Sequence, residues 1–465
     1  REHAQRIAQH FGLYDHALFS TQVSSLDWDD EASNWSVKTN RGDSMRARFV
    51  VLTTGPLNKP KLPAIPGIER FKGHSFHTSR WDYAYTGGSA TEPMTGLAGK
   101  RVAIIGTGAT AIQCVPPLAR DAKQLFVFQR TPSSVDARNN SVTDPEWAAA
   151  LTPGWQQRRI ESFTAQFTSR LDIKNEVNDG WTTLANAIRE KLAAGRSVAD
   201  AAQLLEEADF EKMVQVRERI ESIVDDQATA DALKPWFSLY CKRPCFHDEY
   251  LPTFNRSNVT LVDTAGKGVQ AITEKGLVVD GKEYEVDCIV FATGFEVASD
   301  FARQAGFELH GVGGLTLPQK WSQGMSTFHG LHSRGFPNLF FISQAQSGMS
   351  VNFPHMLSVQ AVHAAHLVGH SVANGVQRVE ASTEAERNWT NKIVELSGAR
   401  IKFLETCTPG FYNNEGGRLE AQAKSMPYGG GPLEFIQILQ DWREAGEFEG
   451  LELDGKPANK KGESK

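Results

Sequence analysis

An apolar strand that runs directly into a glycine turn constrains the fold of this chain more than any other feature. Residues 102–105 form a short strand of the buried type, and residues 106–111 read Gly-Thr-Gly-Ala-Thr-Ala. A helical stretch follows from Ile112 toward Ala119, and the next strand is Gln124–Gln129. In this order of strand, turn, helix and strand, a G-x-G-x-x-A pattern predicts a dinucleotide-binding unit; the alternative is a tight strand–helix turn without a ligand.

The turn has the properties that a bound pyrophosphate requires. Such a group needs backbone N–H donors at close range and the N-terminus of a helix directed at its charge. Gly106 and Gly108 leave this approach free of side chains, and the small Ala111 allows the helix to pack closely on the strand. We therefore predict a dinucleotide site at this turn.

The residue at the end of the following strand indicates which dinucleotide binds. An acidic residue there would accept hydrogen bonds from the adenosine ribose 2′-hydroxyl, but this chain has Arg130. A guanidinium favours a 2′-phosphate, and Thr131 beside it adds a hydroxyl contact. The prediction is NADP in preference to NAD. Without the glycine turn upstream, Arg130 would be interpreted as an ordinary exposed arginine.

Two distant segments share one layout, a hairpin followed by an apolar strand that ends in a small-residue turn. In the first, the strand 49–52 leads into residues 53–55; in the second, the strand 288–291 leads into residues 292–294. Only the second copy has a glycine turn preceding it within the chain. The predicted fold class is therefore α/β, with two dinucleotide-binding (Rossmann-like) domains, of which the first is incomplete.

Between Pro145 and Leu233 the composition becomes rich in Ala, Glu, Gln, Lys and Arg, which predicts a helical insertion within the second domain. The chain then divides into five parts. These are the C-terminal part of the first half of one nucleotide-binding domain (1–70), a linker (71–98), the second domain with its insertion at about 145–233 (99–300), the remainder of the first domain with C-terminal loops (301–455) and a mobile tail (456–465).

Charge and cysteine usage exclude several classes of protein. With 49 basic and 55 acidic side chains the net charge is −6, so no basic field indicates nucleic acid or an anionic membrane surface, and a small-molecule substrate is the default partner. No apolar run approaches the ~18 residues of a membrane-spanning helix. The five scattered cysteines predict no disulfide framework, no metal site and a reducing compartment, with the cytoplasm as default.

A fingerprint immediately before the glycine turn identifies a family. Residues 71–82 match the pattern F-x-G-x-x-x-H-x-x-x-W-[P/D]. Its fixed positions are Phe71, Gly73, His77, Trp81 and Asp82. Here the sequence resembles the Baeyer–Villiger monooxygenases, class B flavoproteins that use FAD and NADPH. In isolation, His77 and Trp81 would be packing residues of a linker, and the resemblance implies that the histidine acts through domain geometry without touching substrate.

Three further segments extend the resemblance through nearly the whole chain. Residues 241–262 contain a Cys-Lys-Arg-Pro sequence and two asparagines, and residues 336–340 look like a strand that returns to the flavin domain. Residues 408–416 resemble a C-terminal loop over nicotinamide and substrate, in the form seen in fungal and polycyclic-ketone-type members.

The resemblance implies a reaction and a set of site residues. NADPH reduces FAD, and one oxygen atom of O2 is inserted beside the carbonyl of a ketone to give an ester or lactone. A permanent cation beside the flavin suits this chemistry, and Arg243 is the candidate; alone, a Lys-Arg pair is usually a solvated surface pair. The implied NADP residues are Gly106, Thr107, Gly108, Ala109, Thr110, Ala111, Gln113, Arg130, Thr131, Lys242, Ala292 and Thr293.

The chain departs from the family pattern at its start. The family's first G-x-G-x-x-G, which holds the FAD pyrophosphate, and an aspartate that orients the catalytic arginine would both precede Arg1. We therefore expect that the natural N-terminus lies upstream and that this chain binds flavin weakly and is impaired as an enzyme. Two alternatives remain open: another class B flavin monooxygenase (an N-hydroxylase or sulfoxidase), or an inactive NADP-binding fragment.

Overall fold

The computed structural model describes residues 1–168, 170, 172–296, 305–417, 419–454, 456 and 457. The predicted domain boundary at 300/301 and most of the predicted mobile tail lie outside these residues. The strands are β1 Val23–Asp29, β2 Asn34–Thr39, β3 Ser44–Ala47, β4 Val50–Leu52, β5 His74–His77, β6 Arg101–Ile105, β7 Gln124–Gln129, β8 Val135–Asp136, β9 Cys245–Phe246, β10 Val259–Asp263, β11 Ala271–Ile272, β12 Gly276–Val279, β13 Lys282–Glu285, β14 Cys288–Phe291, β15 Glu308–His310, β16 Leu339–Phe341, β17 Val379–Ala381, β18 Leu451–Leu453 and β19 Lys456–Pro457.

The α-helices connect and cover these strands. They are α1 Glu2–His10, α2 Tyr83–Thr86, α3 Ala109–Asp121, α4 Pro145–Ala149, α5 Trp155–Ala165, α6 Thr183–Ala193, α7 Ala201–Ile223, α8 Gln227–Leu233, α9 Tyr250–Thr253, α10 Leu317–Lys320, α11 Phe353–Asn374, α12 Thr383–Leu396, α13 Gly398–Glu405 and α14 Pro432–Ala445. Helices α4 to α8 occupy the segment between β8 and β9.

A five-stranded parallel sheet positions the glycine turn. Its strand order is β10-β7-β6-β14-β5. Parallel strands are covered on both faces, and β6 accordingly carries fully buried Val102, Ala103 and Ile104. Helix α3 packs on one face, and the small antiparallel sheet β11-β12-β13 packs on the other. The carboxyl ends of β6 and β14 therefore meet at one edge, where nucleotides bind in sheets of this kind.

The segment 71–98 contributes a strand as well as a connection. Strand β5 pairs in parallel with β14, with His77 opposite Phe291, and so forms an edge of the five-stranded sheet. The fingerprint residues are thereby attached to the same sheet as the glycine turn.

The repeated layout seen in the sequence is present in the fold. The hairpin β2–β3 precedes β4, which pairs in parallel with β16, and the hairpin β12–β13 precedes β14. A separate core is formed by α11, α12 and α14 with the small sheet β17-β18-β19. Within the described residues, no helix combines the length and apolar character that crossing a membrane requires.

Candidate nucleotide-binding and active site

The first glycine of the turn, Gly106, lies so close to the end of β14 that no side chain fits there. Gly106 has a φ of +109°, and a Cβ built on it would lie 2.6 Å from the carbonyl oxygen of Ala292. Any side chain here would therefore both adopt an unfavourable backbone conformation and collide with main chain. This contact fixes the turn against residues 292 and 293, which the sequence analysis assigned to the same cleft.

The second glycine faces open space instead. A Cβ on Gly108 would meet no atom within 4 Å, and its φ of −74° is available to any residue. Gly108 is the N-cap of α3, and no side chain caps that helix end. The N–H groups of the first turn are thus available to an anion, while Ala111 is fully buried beneath them and Thr110 is exposed. These features fit a dinucleotide pyrophosphate.

The remaining turn residues are tied to neighbouring backbone. The Thr107 hydroxyl donates to the carbonyl oxygen of Thr131 at 2.7 Å, and the Ser133 hydroxyl donates to that of Thr107 at 2.7 Å. Gln113 is exposed and donates to the carbonyl of Ala109, 2.9 Å away, within its own helix. Thr107 therefore orders the loop after β7.

Two cations pair with one carboxylate beside this loop, and a third cation lies nearby. Arg130 Nη2 lies 2.7 Å from Glu415 Oε2, and Lys61 Nζ lies 3.2 Å from Glu415 Oε1. Lys242 Nζ donates to the carbonyl oxygen of Pro409 at 3.1 Å. Burial lowers the pKa of Lys242, as does the charge of Arg130, whereas Glu415 opposes this shift. Arg130 and Lys242 thus lie in one cluster, which also contains Lys61 and Glu415, two residues that the sequence did not single out.

Backbone pairing with the end of β14 places Lys61 at the cleft. The Lys61 N–H donates to the carbonyl of Gly294 at 2.9 Å, and the Thr293 hydroxyl donates to the carbonyl of Lys61 at 2.5 Å. Pro60 and Phe295 form an antiparallel bridge. The Lys61 side chain therefore comes from the connection after β4, which the glycine pattern could not reveal.

A disulfide joins Cys241 to Cys407, although the scattered cysteines predicted no disulfide framework. The partners are 166 residues apart in sequence, so only the folded chain brings them together. Cys241 directly precedes Lys242, and Cys407 directly precedes the loop 408–416. The cross-link thus fastens this loop to the Lys242–Arg243 segment. Cys114, Cys245 and Cys288 are free thiols.

The proposed catalytic arginine faces the same loop. Arg243 is exposed, and its positive charge acts on Tyr412. Burial raises the pKa of the Tyr412 phenol, while Arg243 and Arg400 oppose this shift; the net direction is upward. The structure therefore brings Arg243 to the loop that the sequence analysis assigned to nicotinamide and substrate.

Within the fingerprint, His77 is directed at the strand end of the NADP unit. It is buried, and its ring meets Phe295 edge-on with centroids 5.6 Å apart. Its Nδ1 is bonded to the Ser79 hydroxyl at 2.8 Å. Burial lowers the pKa of His77, and a backbone hydrogen bond with Gly294 opposes that shift. These contacts link His77 to residues 294 and 295.

The other fingerprint residues shape the local backbone. A Cβ on Gly73 would lie 2.4 Å from the Phe71 ring and 2.8 Å from the carbonyl oxygen of Asp287, so only glycine fits without movement. Trp81 Nε1 donates to the Thr86 hydroxyl at 3.2 Å. Asp82 caps α2 by accepting from the Tyr85 N–H at 3.1 Å. These contacts explain the fixed residue types by packing and capping.

The two asparagines of the segment 241–262 cap other helices. Asn258 Nδ2 donates to the carbonyls of Ala119 and Ala122 at the end of α3, at 2.9 and 3.0 Å. Asn255 Nδ2 donates to the carbonyl of Ile223, the last residue of α7, at 2.7 Å. Both asparagines therefore have a structural role, since each satisfies the free carbonyl groups at the C-terminus of a helix by donating hydrogen bonds to them.

Comparisons with known proteins decide the family. A family model described as FMO-like (flavin-binding monooxygenase-like) matches residues 1–167. Neopentalenolactone D synthase of Streptomyces avermitilis is 50% identical over 458 residues, which cover 97% of this chain and 77% of that protein. A Baeyer-Villiger monooxygenase of Stachybotrys chlorohalonatus is 49% identical, over 97% of this chain and 73% of that protein. The chain belongs to the Baeyer–Villiger monooxygenases.

Solved structures agree with this assignment. The polycyclic ketone monooxygenase from Thermothelomyces thermophila matches with a TM-score of 0.86 at 39% identity, over 97% of this chain and 76% of that one. The predicted Rossmann-type α/β fold, the flavin-dependent oxidation of a ketone, and the cofactors FAD and NADP are thereby confirmed for this Baeyer–Villiger monooxygenase.

The two cofactors differ in how far the described residues account for them. The turn at 106–111, the uncapped α3 and the neighbouring cations fit NADP. For FAD, the parallel pair β4–β16 has suitable topology, and Val51 in β4 is 44% exposed. In the part of the chain that the structure describes, however, no second glycine turn leads from a parallel strand into a helix. We therefore assign no residue of this chain to the FAD pyrophosphate.

Proposed function

We propose that this Baeyer–Villiger monooxygenase converts a polycyclic ketone into a lactone or ester, with NADPH bound at residues 106–111 and Arg243 acting at the reaction centre. The names of its relatives support this substrate class, since one is a polycyclic ketone monooxygenase and another a neopentalenolactone D synthase. The 2′-phosphate of NADPH is bound by Arg130, Thr131 and Lys242 in this proposal.

One observation carries the assignment of residues. Lys242 donates to the Pro409 carbonyl of the loop 408–416 and is influenced by the charges of Arg130 and Glu415, and the charge of Arg243 acts on Tyr412 of the same loop. A single short segment therefore couples nucleotide recognition to the loop assigned to nicotinamide and substrate. The disulfide at Cys241 fixes this arrangement.

The side chains supply charge and positioning, whereas FAD, when bound, accepts hydride from NADPH and activates O2. The guanidinium of an arginine is a permanent cation, so Arg243 stabilises negative charge that develops near it. A tyrosine phenol is protonated at neutral pH and can donate a hydrogen bond, and the raised pKa of Tyr412 extends this state to higher pH.

The test is product formation with NADPH, added FAD, O2 and a panel of monocyclic and polycyclic ketones. We expect ketone-dependent NADPH oxidation with a product heavier by one oxygen atom, and faster turnover of the polycyclic ketones. Oxygenation of an amine or thioether without any ketone product would contradict the proposal. The flavin absorbance of the purified protein measures how much FAD residues 1–465 retain, and we expect it to be low.

Arg243 is tested by comparing Arg243→Ala with Arg243→Lys. Loss of a group that stabilises developing charge lowers turnover by roughly 10²–10³, so Arg243→Ala should lose product while NADP binding persists. Arg243→Lys retains a charge without the planar guanidinium and should be intermediate. Unchanged product formation in Arg243→Ala would remove this residue from the proposal.

A further inference from the structure

A cluster of three cations and one anion lies beside the glycine turn and consists of Arg130, Lys61, Lys242 and Glu415. This composition is typical of a phosphate subsite from which the nucleotide is absent. Glu415 places one oxygen on Arg130 and the other on Lys61, so its carboxylate bridges two cations from separate parts of the chain. A phosphate monoester also presents several oxygens to neighbouring cations. Glu415 therefore satisfies the cations that a bound phosphate would satisfy.

The electrostatics show that the cluster acts as a unit. Burial raises the pKa of Glu415, but the hydrogen bond from Arg130 and the charges of Arg130 and Lys61 outweigh it, and the net pKa is lowered. Lys242 is influenced by both Arg130 and Glu415. Glu415 is thus the anion that offsets three neighbouring cations.

The backbone of the loop that carries Glu415 is held by hydrogen bonds to a buried asparagine. Asn413 is buried; its Oδ1 accepts from the N–H of Gly410 at 2.8 Å and from that of Gly416 at 3.3 Å. Glu415 itself has a φ of +56°, which is uncommon for a residue with a side chain. Its side chain nevertheless remains 36% exposed. The ion pairs of Glu415 thus involve only its partly exposed side chain, whereas the backbone on either side is held by Asn413.

We propose that Lys61 is a third cation of the NADP 2′-phosphate subsite and that Glu415 occupies this subsite in the nucleotide-free protein as an internal competitor. This inference rests on the proposed NADP site. A nucleotide with a 2′-phosphate replaces the charge of Glu415 on Arg130 and Lys61. A nucleotide with a 2′-hydroxyl supplies no such charge, so the ion pairs remain and Glu415 contributes nothing to its affinity.

The experiment is calorimetric titration of the whole chain with adenosine 2′,5′-bisphosphate and with adenosine 5′-monophosphate, which differ only in the 2′-phosphate. Because exposed ion pairs are individually weak, Glu415→Gln should bind the bisphosphate about threefold to tenfold more tightly, with unchanged affinity for the monophosphate. Lys61→Met should bind the bisphosphate about threefold to tenfold more weakly, again without effect on the monophosphate. Glu420→Gln, which removes an equal charge at an exposed position five residues further on, is the matched control and should change neither affinity.

The outcomes separate this inference from the proposed NADP site. If Arg130→Met leaves the affinity for the bisphosphate unchanged, the proposed site itself is wrong. A second outcome is that Arg130→Met weakens binding of the bisphosphate but Glu415→Gln does not strengthen it, or that Glu415→Gln weakens binding of both ligands equally. In either case Glu415 is a loop anchor, and its role as a competitor is overturned. If Lys61→Met binds the bisphosphate like the wild type, Lys61 is not part of the subsite.

Discussion

At the scale of single residues, the two glycines of the turn are required for different reasons. Gly106 is needed by the protein, because its φ is +109° and a Cβ would meet the Ala292 carbonyl oxygen at 2.6 Å. Gly108 has ordinary φ and open space, so the need for a small residue there comes from the ligand. We therefore expect Gly106 to be required for folding and Gly108 for binding of the nucleotide.

Substitution by alanine should separate these two requirements. Gly106→Ala combines a strained conformation with a backbone collision, and we expect the free energy of unfolding to fall by about 1–3 kcal/mol. Gly108→Ala should stay within about 1 kcal/mol of the wild type, the scale of an N-cap effect, yet bind NADP more weakly. Urea unfolding and NADP titration of both variants are the measurements. Wild-type stability of Gly106→Ala, or wild-type binding by Gly108→Ala, would contradict this division.

At the scale of elements, the disulfide is a covalent link between the start of the loop 408–416 and the Lys242–Arg243 segment. A cross-link between residues 166 apart removes much freedom from the unfolded chain. Cys407→Ser should therefore lower the free energy of unfolding by about 2–4 kcal/mol and weaken NADP binding through Lys242. Cys114→Ser, which alters a free thiol, serves as the control. Dithiothreitol should lower the Tm of the wild type but not of Cys407→Ser; an unchanged wild-type Tm would show that the cross-link does not form.

Helices and strands could largely be predicted from the sequence, because the residue patterns that indicate them are local. The strand Gln124–Gln129 has the predicted bounds, and the predicted strand 102–105 lies within β6. The segment from Pro145 to Leu233, predicted to be a helical insertion, contains helices α4 to α8. Apolar periodicity and turn residues are properties of neighbouring positions, which explains this success.

The features that the sequence did not reveal depend on contacts between distant positions. Glu415 meets Arg130 across 285 residues, and Cys241 meets Cys407 across 166. Lys61 reaches the cleft only because the connection after β4 pairs with residues 293–295. Local spacing carries no information on such pairings, so the positions of Lys61 and Glu415 and the disulfide were not predicted. The assignment of Lys242 and Arg243 rests on family resemblance and that of the glycine turn, Arg130 and Thr131 on the local pattern, and both stay predictions.

At the scale of the whole molecule, the C-terminal core contains buried histidines whose protonation opposes folding. His329 and His332 lie in the turn before β16, and His363 lies on α11. Burial lowers the pKa of His329 to about 3 and of His332 to about 4. Burial also lowers the pKa of His363 to about 2, and the neighbouring His329, His332 and Arg443 add to this shift. All three rings are therefore neutral in the folded protein at neutral pH.

This arrangement predicts a loss of stability in mild acid. The unfolded chain binds protons on these histidines below their usual pKa of about 6.5, whereas the folded chain does not until far lower pH, so stability is complete above that value and falls as pH decreases. The three protons of this cluster give a limiting slope of about 4 kcal/mol per pH unit. His77, His355 and His366, whose pKa values burial also lowers, add to that slope, and carboxylates with lowered pKa contribute below about pH 5. Urea unfolding at several values between about pH 7 and 5 measures the slope. His363→Gln should reduce the measured slope by about 1.4 kcal/mol per pH unit whatever its effect on stability at neutral pH, since one titrating group is gone. A free energy of unfolding that stays constant across this range would show that the histidines are not buried as a neutral cluster.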